Sequence, residues 1–204
     1  VLCMQAYLRQ HTRHFCHVLD CRIYSDVERD LSAALGGIEN PSVVVVNTRT
    51  LGLGETAAVL DIVKRRLPRA VTAICGPFPS RFPQHAAVLT QADYALAGDP
   101  EPILRNLLDY ADVPQRLWRI PGLLTRGQPG VVPYWLPDLK SLSLPDWNSF
   151  FWGAYQSGLT HHPLQAEMQL SRGHTRTPAD RAGIAAGSAI CVHLFLFHGV
   201  LLIE

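Results

Sequence analysis

The chain has 204 residues, 48% hydrophobic and 17% charged, with a formal net charge of +1. That length carries one ordinary domain plus an appendage, and that composition belongs to a globular protein, not a disordered one. The near-zero charge excludes a broad basic field for nucleic acid, and five scattered cysteines without a CxxC pair exclude a disulfide framework and predict a reduced, cytoplasmic setting.

The sequence opens at Val1 inside an apolar helical pattern of Leu2, Met4, Ala6, Tyr7 and Leu8, so a piece of a longer protein is expected. No charged leader stands before an apolar run. The first helix is expected to end near the polar run 9–13. Residues 15–21 alternate weakly and predict a short strand. Ser25, with Glu28 three positions on, has capping-box spacing and predicts the N-cap of a helix over 26–35. Gly36 and Gly37 close it. Val43 to Val46 are four β-branched residues in succession, which predicts a strand apolar on both faces, in the middle of a parallel sheet. A second amphipathic helix is predicted over 55–67, with Ala58, Ile62 and Leu67 near one face. Lys64, Arg65 and Arg66 stand late in it, where cations suit the helix dipole. Strands over 71–75 and 93–97, a short helix over 84–89 and a helix over 101–110 follow, the last opened by Pro100 and Pro102.

Strand and helix alternate with short connections. The expected fold class is therefore α/β, a doubly wound (Rossmann/flavodoxin-like) parallel sheet with helices on both faces. A strand preceding the opening helix is expected to be missing. A small β segment is predicted through 117–125 and 131–135, and Pro129, Pro133, Pro137 and Pro145 mark a stiff linker. The expected organisation is an α/β domain over 1–112, a β segment and proline-rich linker over 113–160, and an incomplete appendage over 161–204.

In such a sheet ligands bind beyond the carboxyl ends of the strands, where loops converge and helix N-termini face the crevice. Three clusters stand there: Thr48, Arg49 and Thr50; Gly76, Pro77, Phe78 and Ser80; and Gly98, Asp99 and Glu101. Each joins a small or flexible residue, for the first the following Gly52 and Gly54, which lets a ligand approach the backbone, to hydroxyl or carboxylate groups. Ordinary strand-to-helix turns also use glycine, proline, serine and threonine.

The run from Ala73 to Ser80, with Gly76-Pro77, and the run from Ala92 to Glu101, with Asp93-Tyr94 and Gly98-Asp99-Pro100-Glu101, resemble the cobalamin-binding domain that precedes many radical-SAM domains. That family reads "GGPHxT" and then "DYVVxGEGE". Here Cys75 replaces one glycine, Phe78 replaces the usual histidine, and the acidic turn carries two substitutions. Ile120-Pro121-Gly122-Leu123 with Arg126 resembles the family's "IPGLxxR", and the stretch from Pro137 to Trp147 resembles its linker. The ordered series covers roughly residues 1–180.

The resemblance implies that the three clusters bind cobalamin, with Gly76 and Gly98 giving clearance to the nucleotide tail and Thr48 and Thr50 offering hydroxyls. The cobalt-binding Asp-x-His-x-x-Gly of the methionine-synthase type is absent, since His11, His14 and His17 lack the following glycine. The resemblance thus implies that no histidine of this chain holds the cobalt's lower face.

Ser171-Arg172-Gly173 resembles the start of "SRGCxxxCxxC", whose three thiolates hold a [4Fe–4S] cluster that binds S-adenosylmethionine. Here His174, Pro178 and Arg181 occupy the three cysteine positions. Proline offers no ligand atom and arginine stays protonated, so no iron–sulfur cluster and no metal site are expected in this chain. His161-His162 lacks a Cys, Asp or Glu at ligand spacing. The aromatic group from Trp147 to Tyr155 reads as a docking core, since basic residues are sparse around it. The apolar run 189–203 is shorter than the roughly twenty residues of a membrane helix and reads as a buried strand or helix.

Three readings follow: a corrinoid-holding module beside a radical-SAM domain or partner protein; a fragment of a cobalamin-dependent radical-SAM enzyme, such as a methyltransferase, whose barrel lies outside the chain; or an unrelated flavodoxin-like binding domain. In the first, this chain alone is not catalytic. No nucleic acid or membrane is expected as a partner.

Overall fold

The four-valine run forms the centre of a six-stranded sheet, and its alternation divides the core in two. The computed structural model describes residues 1–21, 25–38, 43–48, 52–146 and 199–203. The strands are β1 (Cys16–Asp20), β2 (Val43–Asn47), β3 (Val71–Cys75), β4 (Tyr94–Leu96), β5 (Leu123–Thr125) and β6 (Gly199–Ile203), in the spatial order β1-β6-β2-β3-β4-β5. β2, β3 and β4 pair in parallel, while β5 is antiparallel to β4 and β6 is antiparallel to both β1 and β2. β1 therefore runs the same way as β2, and the α/β doubly wound expectation holds, with antiparallel additions at one edge and inside the sheet.

Val43 and Val45 face one layer, with Met4 and Leu8 of α1 (Leu2–His11) and Leu104 and Leu107 of α6 (Pro100–Asp109). Val44 and Val46 face the other, with Leu31 and Leu35 of α2 (Val27–Gly36), Leu60 and Val63 of α3 (Leu53–Arg66) and Ala86 of α5 (Pro83–Thr90). All four valines are buried, each worth about 1.5–3 kcal/mol relative to exposure.

The structure corrects three local expectations. The N-cap of α2 is Asp26, not Ser25: its carboxylate accepts from the Arg29 N–H at 3.0 Å. Asp30 accepts in turn from the Asp26 N–H, while Glu28 pairs outward with Arg65 at 2.9 Å. Carboxylate caps satisfy orphan donors and suit the positive helix end together. On α3, Ala58 is exposed and the buried positions are Thr56, Val59, Leu60, Ile62 and Val63. A short helix, α4 (Pro77–Arg81), forms where the sequence predicts only a turn, with Pro77 at its first position.

The residues after 112 continue the same layers. α7 (Pro114–Leu117) leads to β5, and Tyr134 makes a parallel bridge to Gly98. Residues 1–150 and 197–204 cluster as one compact unit; the second unit, 151–196, lies outside the described residues. Among the described residues, no helix is long and apolar enough to cross a membrane.

Candidate functional site at the carboxyl edge of the sheet

Because β2, β3 and β4 are parallel, their carboxyl ends deliver Thr48, Gly76 and Gly98 to one edge. The edge is interlocked by its own hydrogen bonds. Thr48 is fully buried; its N–H donates to the Cys75 carbonyl at 2.8 Å, and its hydroxyl accepts from Thr56 of α3 at 2.5 Å. Ser80, buried in α4, donates its hydroxyl to the Gly76 carbonyl at 2.7 Å and accepts from the Gly98 N–H at 3.0 Å. One serine thus joins the second loop to the third.

Asp99 and Glu101 are both buried at the start of α6. The Asp99 carboxylate accepts from the Leu136 N–H at 2.8 Å, and the Asp99 N–H donates to the Tyr134 carbonyl at 2.8 Å. Tyr134 also donates its N–H to the Ala97 carbonyl at 2.9 Å. The 130–136 segment is therefore a strap fastened along the third loop. Pro77 is exposed, and Phe78 is half-buried against Phe82, with ring centroids 5.4 Å apart. Arg49, Thr50, the aromatic group 147–155, His161, His162, His174, Pro178 and Arg181 lie outside the described residues.

Both glycines adopt the left-handed region, φ +118° at Gly76 and +105° at Gly98. A Cβ at Gly76 would run into the Thr48 carbonyl and lie 2.6 Å from the Asn47 side-chain oxygen; at Gly98 it would run into the Tyr134 backbone. The clearance that each glycine provides is filled by the chain itself. Among the described residues, the edge offers cobalamin the half-buried Phe78 ring and the exposed Pro77, while the Thr48 and Ser80 hydroxyls are buried and already paired and the Asp99 and Glu101 carboxylates are buried. The two glycines do not give a nucleotide tail a path.

The sequence motif also contains residues that serve elsewhere. Asp93 sits at the amino end of β4, away from this edge. It accepts from the Thr72 N–H at 2.9 Å and the Thr72 hydroxyl at 2.7 Å, and lies 3.4 Å from Lys64 and 3.7 Å from Arg126. Burial pushes its carboxyl up, but the Thr72 hydrogen bonds and the Lys64 ammonium outweigh that and hold it below the usual range. Burial beside Asp93 pushes the Tyr94 phenol up. A cavity of about 220 Å³ opens next to them, lined by Gln84, Asp93, Thr125, Arg126 and Gln128 among others. The buried Thr125 hydroxyl there has no hydrogen-bond partner. Sequence reasoning misses this second place, because Thr125 reaches Asp93 only through the β4–β5 pairing. It also misses Thr56 and Tyr134. A threonine in the first turn of a helix is the one legible signal for Thr56; nothing local marks Tyr134.

Among the described residues, no group of three or more His, Cys, Asp or Glu is placed to hold a metal ion. No family profile and no curated protein matches the sequence. Among solved structures, the chain is similar to the radical S-adenosylmethionine methyltransferase TsrM from Kitasatospora setae, determined with its tryptophan substrate and an S-adenosylmethionine analogue (aza-SAM) bound. The identity is 21%, the TM-score 0.46, and the match covers 53% of this chain and 22% of that one.

Proposed function

We propose that this chain is a cobalamin-binding module of a radical-SAM-type protein. It holds the corrinoid for a catalytic domain or partner and is not itself catalytic. The supporting observation is the convergence of Thr48, Gly76–Ser80 and Gly98–Glu101 on one sheet edge, in the chain order of the motif series. In this reading residues 1–112 carry most of the binding domain, β5 and β6 complete its sheet, and the sequence between those two strands holds the linker and the remnant of a radical-SAM start without its thiolates. Phe78 and Pro77 form the rim against the corrinoid, Ser80 ties the second and third loops beside it, and Arg49 and Thr50 follow Thr48 in sequence. The scattered thiols favour a cytoplasmic protein.

The test is an anaerobic titration with hydroxocobalamin, followed by its visible spectrum and by gel filtration. Phe78→Asp should weaken binding at least tenfold. Arg65→Ala, on the exposed face of α3 with Glu28 and Asp61 as partners, should leave it unchanged. No binding by the parent chain, or equal binding by Phe78→Asp, would overturn the proposal. The filled glycine clearances favour a second reading, a flavodoxin-like domain for a smaller ligand or a protein. It gains if cobalamin fails while the chain remains folded.

A further inference from the structure

We infer that the 130–136 strap is a lid over the third loop, closed in this structure, which lifts to let a ligand reach Gly98. The inference rests on the corrinoid reading and adds the step that governs entry to that edge. A sheet of this kind receives its ligand beyond the strand ends. At the end of β4 that space is taken by the backbone of Tyr134, which a Cβ on Gly98 would strike. A segment in the ligand's path is a permanent plug or a cover, and the way it is held decides which.

A plug is packed into the core, and the strap is not. None of the side chains of 130–136 is fully buried. Val131 and Tyr134 rest half-buried against the core, while Val132 is 83% and Trp135 54% exposed. The strap is closed by three hydrogen bonds: Tyr134 N–H to the Ala97 carbonyl, Asp99 N–H to the Tyr134 carbonyl, and Leu136 N–H to the Asp99 carboxylate. Segments with few buried apolar contacts open locally, well below the cost of global unfolding. The two ends are anchored separately from the middle. At one end the Gln84 amide donates to the Pro129 carbonyl. Beyond the other, Ser143 donates to Gln10 and Asp146 pairs with Arg9, both on α1. Gly130 follows the first anchor directly, and a Cβ there would meet only the Gln84 amide, at 3.7 Å. A groove of about 420 Å³ lies beside the strap, lined by Trp118, Pro121, Leu123 and Val132 among others. The middle therefore has room to shift without displacing the sheet. A closed lid lowers apparent affinity by the fraction of molecules that are open.

Two measurements test this. In the parent chain, native-state hydrogen exchange should release the Asp99, Tyr134 and Leu136 amides at least tenfold faster than those of Val45 and Ile74 in the central strands. Leu136→Pro removes the donor to Asp99 and so weakens the closed state alone. With the fold checked by circular dichroism, it should bind hydroxocobalamin about fivefold more tightly, the effect of one hydrogen bond lost from the closed form. Tyr134→Pro, which removes the donor to Ala97, is the second variant of this kind. Val132→Ala, exposed and outside these bonds, should match the parent in both readouts. Strap amides that exchange no faster than those of the central strands would overturn the lid. A parent that binds cobalamin while both folded proline variants bind no more tightly would overturn it too, and would leave the corrinoid reading standing. No binding by parent and variants alike would overturn the corrinoid reading, and the lid's role with it.

Discussion

Replacing Gly98 by alanine should cost several times what the same added methyl costs at an open glycine. The residue lies at φ +105°, where an L side chain costs about 1–2 kcal/mol. Its new Cβ would also meet the Tyr134 backbone, so the strap must lift. Lifting breaks up to three hydrogen bonds: Tyr134 N–H to Ala97, Asp99 N–H to Tyr134, and Leu136 N–H to Asp99. Each contributes about 1 kcal/mol. Partial relaxation leaves an expected loss of about 3–4 kcal/mol, or on the order of 10 °C in melting temperature for a domain of this size.

Gly127 is the matched control. It sits at φ +87°, and a Cβ added there would meet nothing within 4 Å, so Gly127→Ala carries the backbone cost alone, about 1 kcal/mol. Thermal and urea unfolding by circular dichroism would measure both. Equal losses for the two variants would show that the Tyr134 strap does not press on Gly98.

Four further outcomes are expected. Asp26→Ala should cost about 1 kcal/mol as a lost N-cap, and Ser25→Ala clearly less, by urea denaturation. Asp93 has a depressed carboxyl, so its contribution is present above its unfolded value of about 3.9 and is lost as pH falls through the lower folded value; Asp93→Asn should flatten that acid limb in melts between about pH 2 and 6. Burial pushes the Cys16 thiol up to about 11 and the Cys21 thiol up to about 12, so both should resist iodoacetamide at about pH 8 until urea unfolds the chain, read by mass spectrometry. Anaerobic iron and sulfide reconstitution should not yield the roughly four irons per chain of a [4Fe–4S] centre.

The layered fold is legible because it is written in local periodicity. Val43–Val46 fits only a strand buried on both faces, and α6 shows its buried side as Ile103, Leu104, Leu107 and Leu108. The cap of α2 lies one residue from its expected place because Ser25 and Asp26 are both good caps, and the choice is made by Asp30, which closes back on the Asp26 N–H. Ala58 reads as core because small apolar residues fit either side of a helix; the packing of α2 and α5 against α3 turns it outward. β6 can be read no further than "strand or helix", since its pairing partners lie more than a hundred residues away. The Tyr134 strap has no local signal at all.

The motif residues at the carboxyl edge serve two purposes that sequence alone cannot separate. A glycine that admits a ligand and a glycine that admits another stretch of the same chain have the same identity and the same positive φ. Here the second use is visible at Gly76 and Gly98, and Ser80 is spent on joining their loops. Residues of this kind bind weakly if at all through their own polar groups, because those groups are already paired, and breaking such pairs costs what a new bond returns. Affinity at this edge must come from the exposed Pro77 and from the part of the Phe78 ring that its packing against the core and Phe82 leaves open. That is why the discriminating substitution is at Phe78 and not at the glycines. A charge there leaves the hydrogen bonds that hold the three loops together but also removes Phe78 packing against the core, so circular dichroism of the variant must show it folded before a loss of ligand is read as a loss of contact.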